Sequence, residues 1–287
     1  MATAEPHSTW SVPETITHLY YSPLYQSLSP TERRIYNRLH ACFCCEMLVF
    51  FEEELPMCYA VAARNAPNGA DVAAMLESES RHAAMFRRLA RNLHPGLYEP
   101  FRYHFLRIPP AILRLLKIPL KHPRLFPLTF WIVLLQEERT VYYSQEIIRH
   151  AADLDPQVVE THRRHLDDEK DHLGVDEALL EVYWGRGPAW IRALNARLFR
   201  LVVGEFLNAP KRAGVRIIER LVEEVPSLAS RKRELIDGLL ALAGDTRFHQ
   251  SLYSRDIVPK TFALFDQHRE FRRLGARLRG YSPGGAG

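Results

Sequence analysis

Seven imidazole and carboxylate side chains crowd into His162–His172, HRRHLDDEKDH, where Leu166 is the sole apolar residue. The surrounding pattern is that of a long amphipathic helix, in which each residue turns by about 100°. On that wheel Glu169, His172, His162 and Asp176 all fall within about 60° of His165. Val158, Leu180 and Tyr183 occupy the same sector above and below, and Leu166 and Leu173 flank it. Arg163, Arg164, Asp167, Lys170 and Asp171 point elsewhere. The sector that should meet the core therefore carries histidine and glutamate at its centre. Burying such groups costs free energy unless they are paired or bind a metal. Imidazole with carboxylate suits iron, manganese or zinc, and a fully satisfied buried polar network is the alternative.

A second Glu-x-x-His, Glu79 with His82 in MLESESRHAAMF, shares its sector with Val72, Met75, Leu76, Ala83 and Phe86. One such pair is common by chance. Two of them on inward stripes are the halves of a dinuclear site in a helical bundle, which also needs one carboxylate from each remaining helix. In FWIVLLQEERTVYY the preferred acid is Glu138, on the face of Trp131, Leu134, Leu135, Val141 and Tyr142, with Glu137 open. In FFEEELPM the preferred acid is Glu53, aligned with Ile35, Leu39, Cys42, Glu46 and Val49, and Glu46 is the reserve. Glu52 lies on the line of Arg34 and Arg38, which reads as outward, and Glu54 is undecided. Asp168 and Asp176 are candidate partners for the outer nitrogens of the histidines, while Tyr142 and Tyr143 read as core packing.

Helices must position these groups, and helical periodicity dominates the chain. The first opens at Ser29-Pro30-Thr31-Glu32, a capping box with proline at N1, and runs to about residue 64 with a bend at Pro56. The second covers about 70–92. A proline-rich crossover over 95–127 holds a short helix near 111–116. The third and fourth span about 127–152 and 156–183. Two helices, a crossover and two more helices is the connectivity of an all-α, ferritin-like four-helix bundle. Additional C-terminal helices are expected near 188–208, 210–224, 226–243 and 258–276. Residues 1–28 read as an N-terminal extension, 29–279 as one domain and 280–287 as a disordered tail.

Apolar residues make up 47% of the 287 and charged residues 25%, which suits a globular chain with a large core. The start of the chain has no secretory pattern, and Leu125–Leu135 is too short to span a bilayer. Cys42, Cys44, Cys45 and Cys58 fit neither a zinc knuckle nor a disulfide framework. They read as buried thiols in a reducing, cytoplasmic setting, with no membrane partner expected. A net charge of +4 without an aromatic–basic motif argues against nucleic acid. The basic stretch Gln267–Gly280 reads as a solvated face, or as a dock for an acidic carrier protein or anionic substrate.

Over residues 30 to 184, the set Glu53, Glu79-x-x-His82, Glu138 and Glu169-x-x-His172 resembles the ferritin-like di-iron carboxylate proteins. His165 adds a third histidine, and the resulting His-x-x-x-Glu-x-x-His is similar to that of the aminobenzoate N-oxygenase family. The resemblance implies two iron ions held by Glu53, Glu79, His82, Glu138, His165, Glu169 and His172. It implies dioxygen as co-substrate, an external electron donor, and oxidation of a small-molecule aryl amine to hydroxylamine, nitroso or nitro product in a biosynthetic pathway, in an enzyme that is commonly a homodimer. A di-iron hydroxylase or desaturase acting on carbon, with a carrier-bound substrate, is the alternative. Iron storage is disfavoured by the chain length and the third histidine. His162 is left without a role.

Overall fold

Ser29 starts the first long helix as expected: its Oγ accepts from Glu32 N at 3.3 Å, and the Glu32 carboxylate accepts from Ser29 N at 2.7 Å. The computed structural model describes residues 9–63, 69–204 and 211–282, leaving aside the side chains of 62–63, 69–73, 170, 171 and 211. Most of the NAPNG turn, the side chain of Val72, those of Lys170 and Asp171, and the junction between 204 and 211 lie outside the described residues.

Four long helices form the bundle. Helix α1 (Pro30–Glu54) stops where Pro56 removes a backbone donor, and α2 (Pro56–Ala63) starts on that proline. Helix α3 (Gly69–Leu93) returns along α1. After the crossover and its helix α4 (Pro110–Lys121), α5 (Leu128–Arg149) and α6 (Pro156–Leu180) form the second hairpin, and α3 packs on α6. Asp155 caps α6, accepting from Gln157 N at 2.8 Å. The architecture is all-α, a ferritin-like bundle with added helices α7 (Ala189–Val202), α8 (Lys211–Glu224), α9 (Lys232–Ala241) and α10 (Pro259–Gln267).

The periphery differs from expectation in where its helices run, and the N-terminal extension packs against the body. Residues before Ser29 are stitched into the body: Asn37 accepts from Ser11 N (2.8 Å) and Val12 N (3.1 Å), and Tyr36 Oη accepts from Leu19 N (2.9 Å). At the other end, α10 stops at Gln267, and the rest of the expected 258–276 helix winds in single turns. Phe265, Phe271, Leu274, Leu278 and Tyr281 are all buried there, a spacing that one straight helix cannot bury on one face. Tyr281 packs on Phe262 and Phe265, so the chain is held in place as far as this ring; residues 283–287 of the expected disordered tail lie outside the described residues. Similarly, the expected 226–243 helix begins as a tighter turn over Pro226–Arg231 before α9. All four cysteines are free, and Cys42, Cys45 and Cys58 are buried.

Glu46 explains how the crossover is held. Its buried carboxylate accepts from Tyr98 Oη (2.7 Å) and from the backbone N–H groups of His104 (2.7 Å), Phe105 (2.9 Å) and Leu106 (2.7 Å). This acid, the reserve ligand candidate, is consumed by the chain itself.

Helix α8 is clamped to α1 by Glu224, which accepts from Arg38 (2.9 Å) and Arg220 (2.9 Å) and meets His94 Nε2 at 2.8 Å. Burial works against its charge, but the His94 and Arg220 hydrogen bonds and the Arg38 charge outweigh it and hold its pKa at about 2. A depressed folded pKa gives stability that is present above the unfolded value, about 4.3, and lost as the pH falls through about 2. Glu224→Gln should cost ~1–3 kcal/mol at pH 7. Urea denaturation should show that gap closing as the pH falls from 4.5 towards 2; a gap independent of pH would refute the assignment.

Candidate metal centre

Helices α3 and α6 bring Glu79, His82, His165, Glu169 and His172 together in the middle of the bundle, all buried. The other two helices contribute acids adjacent to those expected. On α1 the acid that reaches the cluster is Glu52, whereas Glu53 is turned outward into an ion pair with Arg87 and contact with Tyr103 Oη (3.4 Å). Glu54 pairs with Lys117 at 2.8 Å. On α5 the acid is Glu137, whereas Glu138 accepts from Lys260 N (2.7 Å) and Thr261 N (2.9 Å) and caps the start of α10.

The physical reason is the same in both cases. Helices α1 and α5 are buried on more than one side, so several stripes are apolar and a single wheel cannot choose among them. The stripe of Trp131 that recommended Glu138 packs against Phe265 and Phe271 of the C-terminal segment, not the bundle centre. On α1 the buried line through Cys45 and Val49 leads to Glu52.

Two half-sites share one residue. Ligand atoms of Glu52, His82, His165 and Glu169 lie within 4.8 Å of one another, and so do those of Glu137, Glu169 and His172. Glu169 belongs to both, with His165 Nε2 2.9 Å from Oε1 and His172 Nδ1 3.2 Å from Oε2. Glu79 lies beside the second half-site, its Oε1 3.3 Å from His172 Nδ1. His165 Nε2 is also 3.2 Å from Glu52 Oε1.

Outer contacts fix which nitrogen faces inward. Asp168 Oδ2 holds His82 Nε2 at 3.0 Å, so that nitrogen keeps its proton and Nδ1 is the one that faces the cluster. Ser78 Oγ donates its hydrogen to Met75 O at 2.8 Å. It therefore accepts from His172 Nε2, also at 2.8 Å, and leaves His172 Nδ1 as the inward acceptor. From the sequence Asp168 reads first as a surface or helix-edge acid, with this role as the alternative; Ser78 carries no pattern that would have revealed it. Asp176 instead accepts from Tyr59 Oη. His162 pairs with Ser144 Oγ at 3.0 Å, and burial, then the neighbouring His165, lowers its pKa to about 3.

The donor set fits a pair of cations. Glu52 Oε2, Glu79 Oε1, both Glu169 oxygens, His82 Nδ1 and His172 Nδ1 are buried without a hydrogen-bond partner, a concentration of unmet groups that folded chains avoid. Burial and the crowding of carboxylates shift the acidities of the cluster. Burial first, then Glu52, raises the pKa of Glu79; burial, then Glu169, raises that of Glu137. Burial disfavours charge on Glu52 and Glu169 too, yet both are lowered, Glu52 through its hydrogen bonds to Glu79, His165 and His82, Glu169 mainly through His165. Against their burial, Glu169 and Glu52 raise His82 to about 10 and His165 to about 9. Raised acids beside lowered carboxylates mean that the negative charge of the cluster is met by protons or by cations. Metal uptake displaces those protons and weakens as the pH falls.

A cavity of ≈ 50 Å³ lies between α1, α5 and α6; its wall holds none of the clustered donors, though Phe51 and Gln136 are the chain neighbours of Glu52 and Glu137. Leu48 and Phe51 line it from α1, Gln136, Arg139, Thr140 and Tyr143 from α5, and His162 from α6. Tyr143, expected as core packing, is part of its wall. The Arg139 guanidinium stands 5.0 Å from the ring centres of both Tyr143 and Tyr253, donating to Gln136 Oε1 (3.3 Å) and Tyr253 Oη (3.0 Å). Its Nε is buried without a partner.

Together the bundle and its buried histidine–glutamate cluster define an all-α protein of the ferritin-like di-iron type. The family model described as p-aminobenzoate N-oxygenase AurF matches residues 2–246, well beyond the 30–184 over which the motifs carry the likeness. The chain belongs to that oxygenase family. Comparison with curated proteins and with solved structures returned no match.

Iron-loaded protein should hold about two ions per chain, as a dinuclear bundle site requires. Glu52→Ala and Glu137→Ala should each reduce that to about one, measured by elemental analysis after gel filtration. Glu53→Ala and Glu138→Ala should leave loading intact; loss of metal from these two, with retention in the first pair, would reverse the assignment.

Proposed function

We propose that this chain is an oxygen-dependent N-oxygenase of a small aryl amine carrying an anionic group, serving a biosynthetic pathway. The observation that carries this reading is the third imidazole, His165, whose Nε2 stands among Glu52 and Glu169 inside the buried cluster. Membership in an oxygenase family supports it.

Glu52, His82, His165 and Glu169 would hold one iron, Glu137, Glu169 and His172 the other, with Glu79 between them. Two iron ions there would supply the two-electron reduction of dioxygen that places one oxygen atom on nitrogen and releases the other as water. The balance requires two further electrons from an external donor, and two protons. Arg139 binds and orients the substrate: a buried guanidinium in a largely apolar wall has a strong, directional preference for a carboxylate. Phe51 and Leu48 cover the ring and exclude water, and Tyr253 and Gln136 hold the guanidinium in place. The outer contacts of Asp168 and Ser78 keep His82 and His172 in the tautomers that bind metal.

Reduced, iron-loaded protein given oxygen and 4-aminobenzoate should yield a product heavier by one oxygen atom, read by mass spectrometry with labelled dioxygen. Arg139→Met should raise KM for aminobenzoate ~10–100-fold and leave that for aniline nearly unchanged. Full iron loading without oxygen transfer to any aryl amine, alongside hydroxylation of an acyl substrate, would instead make the enzyme a carbon oxidase.

A further inference from the structure

Helix α7 buries Ile191, Asn195, Ala196 and Phe199 and turns a second apolar stripe to solvent. On that stripe Trp190 is 66% exposed, Leu194 45% and Leu201 58%. Asn195 ties the helix to the loop of Leu125, donating to Leu125 O at 2.9 Å and accepting from Leu128 N at 3.3 Å. Leu125 is itself 53% exposed, and Leu115 and Ile118 stand exposed on α4 just upstream. At the far end of α7, Arg200 and Leu201 pass into a groove lined by Arg272, Arg273, Arg277 and Arg279.

Charge on this face is mainly positive, although Lys117 is paired with Glu54 and Arg192 with Glu270. Residues 108–127 and 185–204 contain eight lysines and arginines and no aspartate or glutamate, in a chain with 34 acids. A patch of this size, apolar and rimmed by cations, marks an interaction surface. A second copy of the chain is a poor occupant: a two-fold contact sets the same patch against itself, with an excess of positive charge on both sides. Among the described residues no helix is long and apolar enough to cross a membrane. Tryptophan and leucine beside arginine and lysine is, however, the make-up of surfaces that lie in the headgroup boundary of a bilayer.

We propose that this face docks the protein peripherally on an anionic lipid bilayer. Trp190, Leu194 and Leu201 enter the boundary between headgroups and acyl chains, and the arginine groove meets lipid phosphates. The lack of a spanning segment, which argued against a membrane partner at the level of sequence, does not bear on docking of this kind. Nor does the proposal depend on the metal centre or on the reaction assigned to it.

The test uses the full chain with vesicles of phosphatidylcholine alone or containing about one third phosphatidylglycerol. The protein should float with the anionic vesicles and not the neutral ones, and roughly 0.5 M salt should release it, as expected for screened charge. Trp131 and Trp184 are buried and Trp10 is half-buried beside Asp153 and Asp155, so Trp190 should dominate a blue shift and quenching by brominated acyl chains, and a Trp10→Phe background isolates its signal. Trp190→Ser combined with Leu201→Ser should weaken partitioning at least about tenfold; both positions are exposed, so the fold should survive. Failure to float with anionic vesicles, equal binding to neutral ones, or full binding by the double variant would each overturn the proposal. So would a dimer that covers Trp190 and stays off vesicles.

Discussion

Four carboxyls and three imidazoles sit where a helical bundle normally stacks aliphatic side chains, and the rest of the structure answers to that. An uncompensated charge in such a place costs several kcal/mol, roughly, even after relaxation. Cations shared between the half-sites would meet that cost, and protons on the raised acids and imidazoles are the other means available to the chain. Any acid that cannot share in that compensation must find its own. Helix α1 shows how completely this is done: Glu46 holds the crossover, Glu52 enters the cluster, Glu53 takes Arg87 and Glu54 takes Lys117.

The same demand reaches one layer outwards. A histidine that presents a lone pair inward has to dispose of its other N–H, and a buried N–H without an acceptor is costly. Asp168 serves His82, and Ser78 serves His172 because its own hydrogen is committed to Met75 O. His162 is excluded from the cluster by a comparable arrangement, since Ser144 engages its Nδ1. Four histidines and a serine pair on neighbouring turns are thus sorted into ligands and wall by hydrogen-bond accounting, not by residue type.

That sorting explains what could be read beforehand. Helices α3 and α6 have one inward face each, so histidine and glutamate in an apolar stripe stood out, and Glu79, His82, His165, Glu169 and His172 are where the pattern put them. Helices α1 and α5 are sandwiched, and their wheels carried no unique inward line. Glu138 sat on the better apolar stripe, but that stripe serves Phe265 and Phe271, and its carboxylate serves two N–H groups of α10. A periodicity reports burial; it does not report against what. Which neighbour covers a stripe is a long-range property, and here the neighbour lies more than a hundred residues away.

The segments that concealed the ligands also build the chamber. Tyr253, beyond the end of the family match at residue 246, steadies Arg139 from outside the bundle, and Val12 and Ile16 of the N-terminal segment close the same cavity. The bundle helices α1, α3, α5 and α6 supply every donor of the cluster, whereas the chain termini supply part of the wall and the support of its one cation. Chemistry and selectivity are therefore carried by separable parts of the chain. The clustered donors are confined to four helices by the cost of burying them, so the cavity wall can be changed at Val12 or Ile16 without moving one of them. A change on α1 or α5 has no such freedom, because one turn of either helix serves the cluster on one side and the cavity on the other.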